Sequence, residues 1–357
     1  MPSDRVLVIG GGPAGLAAAR AVAELGTPVT LVETRERLGG TPDEASYAAL
    51  TPDFEDAGVA MRRMADAVTG NALADVRLGS RVTASEGSAG DFRVTMTGPA
   101  GEEAIAAAAI IVATGFTHFD PASANQSYGY YEFDDVITLP EAEKMLSAHR
   151  FVRPSTGEPP RNVCFVQCVG SRDRRIGNEY CSKVCCGVAS KEAIEIRRLL
   201  PDCKVTIFYI DMRMYGHWEE QIYWPAQEQY HVNYVRGVIS EILRKGDTLI
   251  VRGEDTTMGR PMEVPMDVVV LSVGMVPSAG TKAIGPILGI EQDKNGFIKA
   301  VGGALDTVAT SVDGIFVAGA AAGPKDLEDS VGMAGLAAAK AVAIARRPTP
   351  VAAGSGG

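Results

Sequence analysis

The stretch VLVIGGGPAG at residues 6–15 decides the fold class. Its apolar beginning predicts a buried parallel strand, and the glycine-rich turn leads into a helix predicted over Leu16–Leu25. A second strand, predicted over Pro28–Val32, ends at Glu33, which lies 18 residues after Gly15. Strand, turn, helix, strand and terminal acid in this order form the complete fingerprint of a dinucleotide-binding βαβ unit. We therefore expect an α/β fold of the doubly wound type.

The three glycines of the G-x-G-x-x-G pattern have separate roles in such a unit. Gly10 permits the tight turn, Gly12 lets the backbone approach a pyrophosphate, and Gly15 lets helix and strand pack closely. The pyrophosphate then lies at the helix N-terminus, where free N–H groups and the helix dipole favour an anion. Glu33 is expected to accept hydrogen bonds from the ribose hydroxyls. A glycine turn with an incidental surface Glu is the weaker alternative.

Three further stretches favour FAD over NAD as the dinucleotide. Gly39-Gly40, shortly after the acid, resembles the extended phosphate contact of flavoproteins with two dinucleotide domains. AIIVATG at 109–115 is an apolar strand with the terminal turn typical of those proteins, and TSVDGIFVAG at 310–319 resembles their second flavin strand. A helix of small residues is predicted from about Ser330. Gly319-Ala320 departs from the usual Gly-Asp, so the carboxylate that normally binds the ribityl chain is missing.

The predicted FAD contacts run from the fingerprint to this C-terminal helix. They are Gly10, Gly12, Pro13, Ala14, Gly15, Glu33, Thr34, Arg35, Gly39, Gly40, Thr41, Val82, Ala113, Thr114, Gly115, Gly319, Ala320, Met333 and Ala334. No catalytic side chain is assigned on this chain.

Length and charge narrow the possible functions. A chain of 357 residues has room for two domains of ordinary size, and its net charge of −10 argues against a nucleic-acid partner. Residues 1–23 fit a strand, a turn and a helix better than a secretory signal. The apolar stretch 104–115 falls short of the ~18 residues that a membrane span needs. We expect a soluble, cytoplasmic protein without a transmembrane segment.

A second nucleotide-like fold is predicted as an insertion into the first. Strand 162–167, helix 188–200 and strand 205–210, which ends at Asp211, repeat the βαβ order, and VVVLSVG at 268–274 echoes the AIIVATG strand. The predicted domains are therefore FAD-binding parts at 1–155 and 281–347, an insert at 156–280 and a flexible tail at 348–357.

The turn of this insert is expanded. From the strand to the terminal acid, the first unit spans 27 residues (Val6 to Glu33) and the second spans 48 (Val163 to Asp211). About 20 extra residues thus replace the glycine turn that would hold the pyrophosphate of a nicotinamide dinucleotide. The sequence therefore predicts no nicotinamide site in the insert.

The expanded turn carries a cluster of cysteines. Cys168, Cys181, Cys185 and Cys186 have the number and compactness that suit a [4Fe–4S] cluster, whereas structural zinc usually shows paired CxxC knuckles. Cys181 and Cys185 are expected on one face of a helical turn, with Cys168 at a strand end. A redox disulfide between Cys181 and Cys185 and a zinc or purely structural role are the alternatives.

Other residues near the cluster have simpler interpretations. Basic side chains of the turn either offset the charge of a cluster or lie on solvated surface. They are Arg172, Arg174, Arg175 and Lys183. Cys164 and Cys203 are expected in buried apolar packing. Aromatic residues crowd 212–234, where core packing or a subunit interface is the favoured use.

Together with the FAD fingerprint and the AIIVATG strand, four further blocks of sequence resemble the A subunit of heterodisulfide reductase. They are CVGSRD at 168–173, YCSKVCC at 180–186, FYIDMRMYG at 208–216 and AGAAAGPKD at 318–326. The resemblance covers nearly the whole chain, and the four cysteines are its most specific part. It implies a thioredoxin reductase-like FAD-binding fold, a [4Fe–4S] cluster on those cysteines, and a homodimer within a larger electron-transfer complex.

The full-length archaeal subunit is longer than this chain and has ferredoxin-type CxxCxxC runs that this chain lacks. The chain resembles instead the compact bacterial form from the heterodisulfide reductase-like complex of cytoplasmic sulfur oxidation, which implies B-like and C-like partner subunits. The A subunit of a quinone-interacting oxidoreductase complex is an alternative, although extra cysteines are expected there in place of Thr41-Pro42-Asp43. Two further alternatives are a stand-alone NAD(P)H-dependent flavin disulfide reductase and a redox-silent FAD-containing scaffold.

Overall fold

The computed structural model of the chain describes residues 3–123 and 128–347, so the predicted tail at 348–357 lies outside the described residues. Two compact units are present. The first unit comprises residues 1–40, 61–116 and 277–357, and the second comprises residues 41–60 and 117–276.

The strands and helices are numbered in chain order. The strands are β1 Val6–Ile9, β2 Val29–Val32, β3 Ala74–Arg77, β4 Arg81–Ser88, β5 Asp91–Gly98, β6 Gly101–Ala107, β7 Ala109–Val112, β8 Phe116–His118, β9 Val136–Thr138, β10 Asn162–Val169, β11 Lys204–Tyr209, β12 Asn233–Lys245, β13 Thr248–Asp255, β14 Arg260–Met266, β15 Val268–Val273, β16 Met275–Pro277 and β17 Ile315–Val317. The helices are α1 Pro13–Glu24, α2 Gly40–Glu44, α3 Ala57–Thr69, α4 Leu139–Ser147, α5 Cys185–Leu199, α6 Trp224–Glu228, α7 Ala279–Leu288 and α8 Leu327–Ala345. None of these described helices combines the length and the apolar character needed to cross a bilayer.

The first unit is built on a parallel sheet with the strand order β17-β7-β1-β2-β3. Every residue of β1 is buried, and the strand pairs with β2 on one side and with β7 on the other. Burying each Val or Leu of such a strand stabilises the fold by about 1.5–3 kcal/mol. On one face, small residues such as Ala18, Ala19, Ala337 and Ala338 are fully buried, which lets α1 and α8 approach closely. The predicted α/β fold class is confirmed.

The second unit repeats the βαβ order on a sheet with the strand order β14-β13-β12-β11-β10-β15-β9. β10 lies between β11 and β15 and is parallel to both, while β12, β13 and β14 form an antiparallel meander. Phe165 of β10 belongs to the same apolar core as Ala189 and Ala193 of α5. Cys164 and Val166 belong to the core on the other face. Successive side chains of β10 therefore point to opposite faces of the sheet, and only every second one lies on the face that α5 covers.

The two units differ from the predicted domain ranges. The predicted range 1–155 extends beyond the first unit because β9 pairs with β15 in the sheet of the second unit. Segment 41–60 also belongs to the second unit. The Ala48 N–H donates to Glu143 and Lys191 donates to the Ala49 carbonyl, so buried polar contacts hold this segment in place.

Candidate functional site

The glycine-rich turn after β1 is shaped by contacts that admit no side chain. Gly10 has a φ of +111°, and a Cβ there would lie 2.3 Å from the Ala113 carbonyl oxygen. A Cβ at Gly15 would lie 1.7 Å from the Gly10 carbonyl oxygen. These distances explain why the first and third positions of the pattern require glycine.

Gly12 leaves open space at the start of α1. The nearest atom to a Cβ built on Gly12 is the Gly40 Cα, at 3.4 Å. Gly12 is the N-cap of α1, no described side chain caps this helix, and Pro13 at its start has no N–H group to satisfy. The N–H groups of the first turn and the helix dipole therefore form an anion-binding site. This geometry fits the pyrophosphate of a dinucleotide.

Glu33 lies at the end of β2 and is buried. Its Oε2 accepts a hydrogen bond from the Gly11 N–H at 2.6 Å, and its Oε1 accepts one from the Arg35 N–H at 2.8 Å. The Thr34 hydroxyl also donates to Oε1, at 3.1 Å. A carboxylate can accept about four hydrogen bonds, so these contacts fix its position and leave capacity for ribose hydroxyls. The sequence predicts the acid but not this hydrogen bond from the glycine turn.

Gly39 and Gly40 bring the chain back to the same turn. The Gly39 N–H donates to the Gly11 carbonyl at 2.9 Å. Gly40 has a φ of +63°, and a Cβ there would lie 2.5 Å from the Gly12 Cα. Two bare backbones therefore meet at the open anion site, as an extended phosphate contact requires. Thr41 follows on α2.

The turn Ala113–Gly115 after β7 is held by two residues that the sequence analysis did not single out. The Ser278 hydroxyl donates to the Thr114 carbonyl at 2.8 Å, and the Thr281 hydroxyl donates to the Gly115 carbonyl at 2.7 Å. Ser278 also caps α7 by accepting a hydrogen bond from the Thr281 N–H. A serine just before an apolar helical pattern is an N-cap signal, so this position could have been found.

The predicted C-terminal contacts pack against the start of α1. Gly319 has a φ of +66°, and a Cβ there would lie 2.6 Å from the Ala14 Cβ. Ala320 lies beside it on a short turn. Met333 and Ala334 of α8 are buried in the core that also contains Ala14. The structure thus brings these residues together with α1, chiefly as packing partners.

Val82 and Arg35 have environments that the sequence analysis did not predict. Val82 lies on β4 and is buried in a core with Leu7 and Ile9, so its side chain supports the sheet. The Arg35 Nε lies 3.8 Å from the Glu33 Oε1.

Taken together, the residues of the first unit offer a continuous dinucleotide cradle at Gly10–Gly15, Glu33 and Gly39–Gly40.

Three of the four predicted cluster cysteines converge in the second unit. Cys168 lies near the end of β10, where the register with β15 shifts, and it takes a φ of +65°. Cys185 and Cys186 form the first turn of α5, which begins three residues before the predicted start at Val188. The thiols of Cys168 and Cys186 both act on the Cys185 thiol and raise its pKa. The structure thus brings the end of β10 and the start of α5 together at these three residues.

Contacts among these thiols favour a thiolate. The hydrogen bond with Cys185, helped by the Arg172 guanidinium, lowers the pKa of Cys168 to about 7. The hydrogen bond with Cys185 also lowers the pKa of Cys186, while the pKa of Cys185 is raised well above its usual value by hydrogen bonding to Cys168 and Cys186 and by burial. The thiolate is the form that binds metal and attacks disulfides, so this group suits either chemistry.

The predicted helical turn through Cys181 and Cys185 is wrong. α5 begins only at Cys185, and Lys183 has a φ of +65°, which an α-helix does not allow. The Cys181 sulfur instead accepts a hydrogen bond from the Lys183 N–H at 3.3 Å. Within residues 3–123 and 128–347, no three or more His, Cys, Asp or Glu side chains are arranged to hold a metal ion.

The residue types nevertheless fit a thiolate-bound group, because Cys168, Cys185 and Cys186 supply thiols that act on one another's pKa, although these side chains are not arranged to hold a metal ion in the described structure. Polar groups beside Cys168 support this fit. The side-chain amide of Gln167 and the hydroxyl of Ser171 are buried without a hydrogen-bond partner among the described residues. Such groups usually have a partner in a native structure. The Ser171 hydroxyl and the Gln167 amide N–H groups could donate to the sulfur atoms of a bound cluster, whereas the Gln167 amide oxygen needs a different partner.

The basic residues of the turn divide between the two predicted roles. Arg172 contacts Cys168 and forms an ion pair with Asp211. Arg175 pairs with Asp173 at 2.7 Å, and the Arg174 side chain is almost fully exposed. Asp211 lies two residues after the end of β11, in the region where a nucleotide fold places its ribose-binding acid. The ion pair with Arg172 therefore engages the acid that a nicotinamide dinucleotide would need.

The remaining cysteines and aromatic residues have structural roles. Cys164 and Cys203 are buried in apolar cores, and burial raises the pKa of both thiols, that of Cys203 to about 12. Trp218 is also buried, and a Cβ at Gly187 would lie 2.3 Å from its ring. Core packing is therefore one use of the aromatic segment, and exposed His217 pairs with Glu220.

A buried group of charged residues in the second unit was not predicted. Lys191 of α5 is fully buried, and its Nζ donates to the Glu143 Oε1 at 2.5 Å and to the Ala49 carbonyl at 3.0 Å. It also lies 3.1 Å from the Glu195 Oε2. In the sequence KEAIE at 191–195, Lys191 and Glu195 have the i and i+4 spacing of an ordinary ion pair on an exposed helix face. The sequence therefore does not indicate that Lys191 is buried.

Comparisons with known proteins agree with this geometry. Residues 4–345 match the family described as pyridine nucleotide-disulphide oxidoreductase. The chain is 42% identical over 238 residues to the A subunit of the H(2):CoB-CoM heterodisulfide,ferredoxin reductase of Methanothermobacter thermautotrophicus, covering 65% of this chain and 36% of the relative. It is 43% identical over 243 residues to the iron-sulfur A subunit of the CoB-CoM heterodisulfide reductase of Methanocaldococcus jannaschii, covering 66% and 36%. The chain thus spans about a third of the length of these curated relatives.

Solved structures share the fold at low sequence identity. Thioredoxin reductase of T. acidophilum matches with a TM-score of 0.64 at 18% identity, covering 95% of this chain and 97% of that one. Thioredoxin reductase of Lactococcus lactis matches with the same TM-score at 20% identity, covering 96% and 98%. These matches confirm the thioredoxin reductase-like α/β fold. With a family match over nearly its whole length and a dinucleotide cradle in its first unit, the chain belongs to the pyridine nucleotide-disulphide oxidoreductase family of flavoprotein oxidoreductases.

Proposed function

We propose that this chain is the FAD-binding, electron-transferring subunit of a heterodisulfide reductase-like complex. Relatives named as the A subunit of heterodisulfide reductases, at 42–43% identity over the shared part, support the proposal. In the first unit, the N-terminus of α1 and the Gly39-Gly40 pair would bind the pyrophosphate of FAD, and Glu33 would accept from its ribose. The turn Ala113–Gly115 and the Gly319–Ala320 turn would complete the binding site.

The observation that carries the proposal is the contact of Cys168 with the first turn of α5. In a nicotinamide domain this turn is a glycine-lined anion site, and here thiols occupy it. Cys168, Cys181, Cys185 and Cys186 would hold a [4Fe–4S] cluster. A flavin exchanges two electrons and such a cluster exchanges one, so a subunit with both can connect two-electron chemistry to a one-electron path. Arg172 would offset part of the cluster's negative charge.

The finer parts of the proposal come from the resemblance to the compact bacterial subunit. We infer that the chain works as a homodimer in the cytoplasm, together with B-like and C-like subunits, in a complex that oxidises sulfur compounds. The sulfur chemistry would then take place on the partner subunits, since no catalytic side chain is assigned here. The A subunit of a quinone-interacting complex is the alternative assignment.

Serine substitutions of individual cysteines test the cluster. After anaerobic reconstitution with iron and sulfide, we expect about four irons per wild-type chain. Ser at each of the four ligand positions should lower this loading, because a hydroxyl is a poor ligand for cluster iron. Iron content and the visible absorption of the cluster would be measured together.

Cys164→Ser and Cys203→Ser are the matched controls, because both cysteines are buried in apolar cores of the same unit. They should keep wild-type iron loading. Wild-type protein that takes up no iron, or equal loss of iron from the control variants, would overturn the assignment.

One observation favours a second candidate, a flavin-linked disulfide reductase. The pair formed by a Cys168 thiolate and the protonated Cys185 thiol has the electrostatics of a redox dithiol. The pair differs from the predicted disulfide between Cys181 and Cys185. A stand-alone enzyme of this kind needs a reductant, so fast bleaching of the flavin by NADH or NADPH would favour it over the cluster-containing subunit.

A further inference from the structure

Two carboxyl groups are buried in the second unit, on the helices α4 and α5, which contact each other. Glu143 of α4 is 2% exposed and Glu192 of α5 is 0% exposed. Both oxygens of Glu143 have donors: Oε1 accepts from Lys191 and Oε2 accepts from the Ala48 N–H at 2.9 Å. As a carboxylate, Glu192 has no donor to either oxygen among the described residues. A buried carboxylate without a donor is strongly disfavoured.

The nearby cations do not compensate a charge on Glu192. Lys191 supplies one positive charge, and Glu143 and Glu195 already share it. Arg198 acts on Glu195, whose side chain is 16% exposed and so reaches solvent. Tyr47 faces both Glu143 and Glu192 and brings no charge, because burial and these two carboxyl groups raise its pKa well above the usual value. An ionised Glu192 would therefore add an uncompensated charge to the group.

A proton on Glu192 removes this conflict. The protonated carboxyl group can donate a hydrogen bond, and the carboxylate of Glu143, which interacts with Glu192, can accept it. Burial, and then the negative charge of Glu143, raises the pKa of Glu192 well above its usual value. Shared protons are the usual solution where two carboxyl groups meet in a dry site.

We propose that Glu143 and Glu192 form a proton-binding site, which holds one proton between their carboxyl groups and thereby keeps segment 41–60 attached to α4 and α5. The attachment consists of the hydrogen bond from the Ala48 N–H to Glu143 and the one from Lys191 to the Ala49 carbonyl. If Glu192 ionises, its charge repels Glu143 and competes for Lys191. Both hydrogen bonds of the segment then weaken.

Infrared spectroscopy of the whole flavin-containing protein detects the proton directly. At neutral pH we expect the carbonyl band of a protonated carboxylic acid, which shifts to lower frequency in D₂O. Glu192→Gln should lose this band, whereas the amide still donates to Glu143 in place of the carboxylic acid. Glu228→Gln changes an exposed glutamate of the same unit and should keep the band. A spectrum of Glu192→Gln identical to that of the wild type would overturn the proposal.

Hydrogen exchange at the Ala48 amide tests the attachment. Above the ordinary pKa of a glutamic acid, Glu192 ionises when segment 41–60 is open but keeps its proton when the segment is closed. Linkage therefore predicts that opening of the segment increases by up to about tenfold per pH unit, after correction for intrinsic exchange, until Glu192 also ionises in the closed protein. In Glu192→Gln this extra pH dependence should disappear, because the amide does not ionise. The same pH dependence in both proteins would show that the proton does not control the segment. Neither the infrared band nor the exchange of the Ala48 amide depends on bound iron. A negative result in these two experiments is therefore distinct from a negative result in the iron-loading test of the proposed function.

Discussion

Replacing Gly12 with leucine should abolish FAD retention while leaving the first unit folded. A Cβ at this position meets only the Gly40 Cα, at 3.4 Å, so the backbone tolerates a side chain. The remaining atoms of leucine would fill the space over the start of α1, where the pyrophosphate is expected. FAD released by denaturing the purified protein should fall from near-stoichiometric to near zero.

Gly335→Leu is the matched control for this substitution. Gly335 is exposed on α8, and no atom lies within 4 Å of a Cβ built on it. This variant should keep its FAD. Near-stoichiometric FAD in Gly12→Leu would show that the pyrophosphate binds elsewhere, and circular dichroism would establish that both variants are folded.

Replacing Lys191 with methionine should destabilise the second unit by about 3–5 kcal/mol, because it leaves buried carboxylates without their cation. Lys191 contacts Glu143, Glu195 and the Ala49 carbonyl, so its loss affects three partners. Both tryptophans of the chain, Trp218 and Trp224, lie in this unit. Their fluorescence during urea unfolding therefore reports on its stability.

Lys144→Met provides the control, since Lys144 is exposed on α4 and its loss should change stability little. The defect of Lys191→Met should shrink as the pH falls, because burial raises the pKa of Glu195 and protonation removes its uncompensated charge. Equal unfolding midpoints for Lys191→Met and Lys144→Met would contradict a structural role for the buried ion pairs.

The fold could be predicted from local patterns because each βαβ unit combines apolar strands with a defined turn. The fold of the first unit could be predicted from the strand VLVI, the glycines at 10, 12 and 15, and Glu33. The boundary between units was not predictable in the same way. The backbone atoms of Ala48 and Ala49 attach segment 41–60 to the second unit by hydrogen bonds with Glu143 and Lys191. Because every residue type has these backbone atoms, the sequence does not indicate the contacts.

The candidate sites were predicted to the extent that they depend on residue type. Cys168, Cys185 and Cys186 were identified as partners, since thiols clustered in an expanded turn are uncommon. The position of Cys181 was not, because it depends on the positive φ of Lys183, a residue type that rarely adopts it. Burial of Lys191 and Glu192 was missed because charged residues are normally exposed.

Counting the electrons that the protein accepts tests the central claim most directly. In an anaerobic reductive titration of the reconstituted protein, FAD accepts two electrons and a [4Fe–4S] cluster accepts one, so the account predicts about three electrons per chain. A redox disulfide in place of the cluster would raise the total to about four. An uptake of about two electrons per chain, with FAD as the only reducible group, would contradict the account.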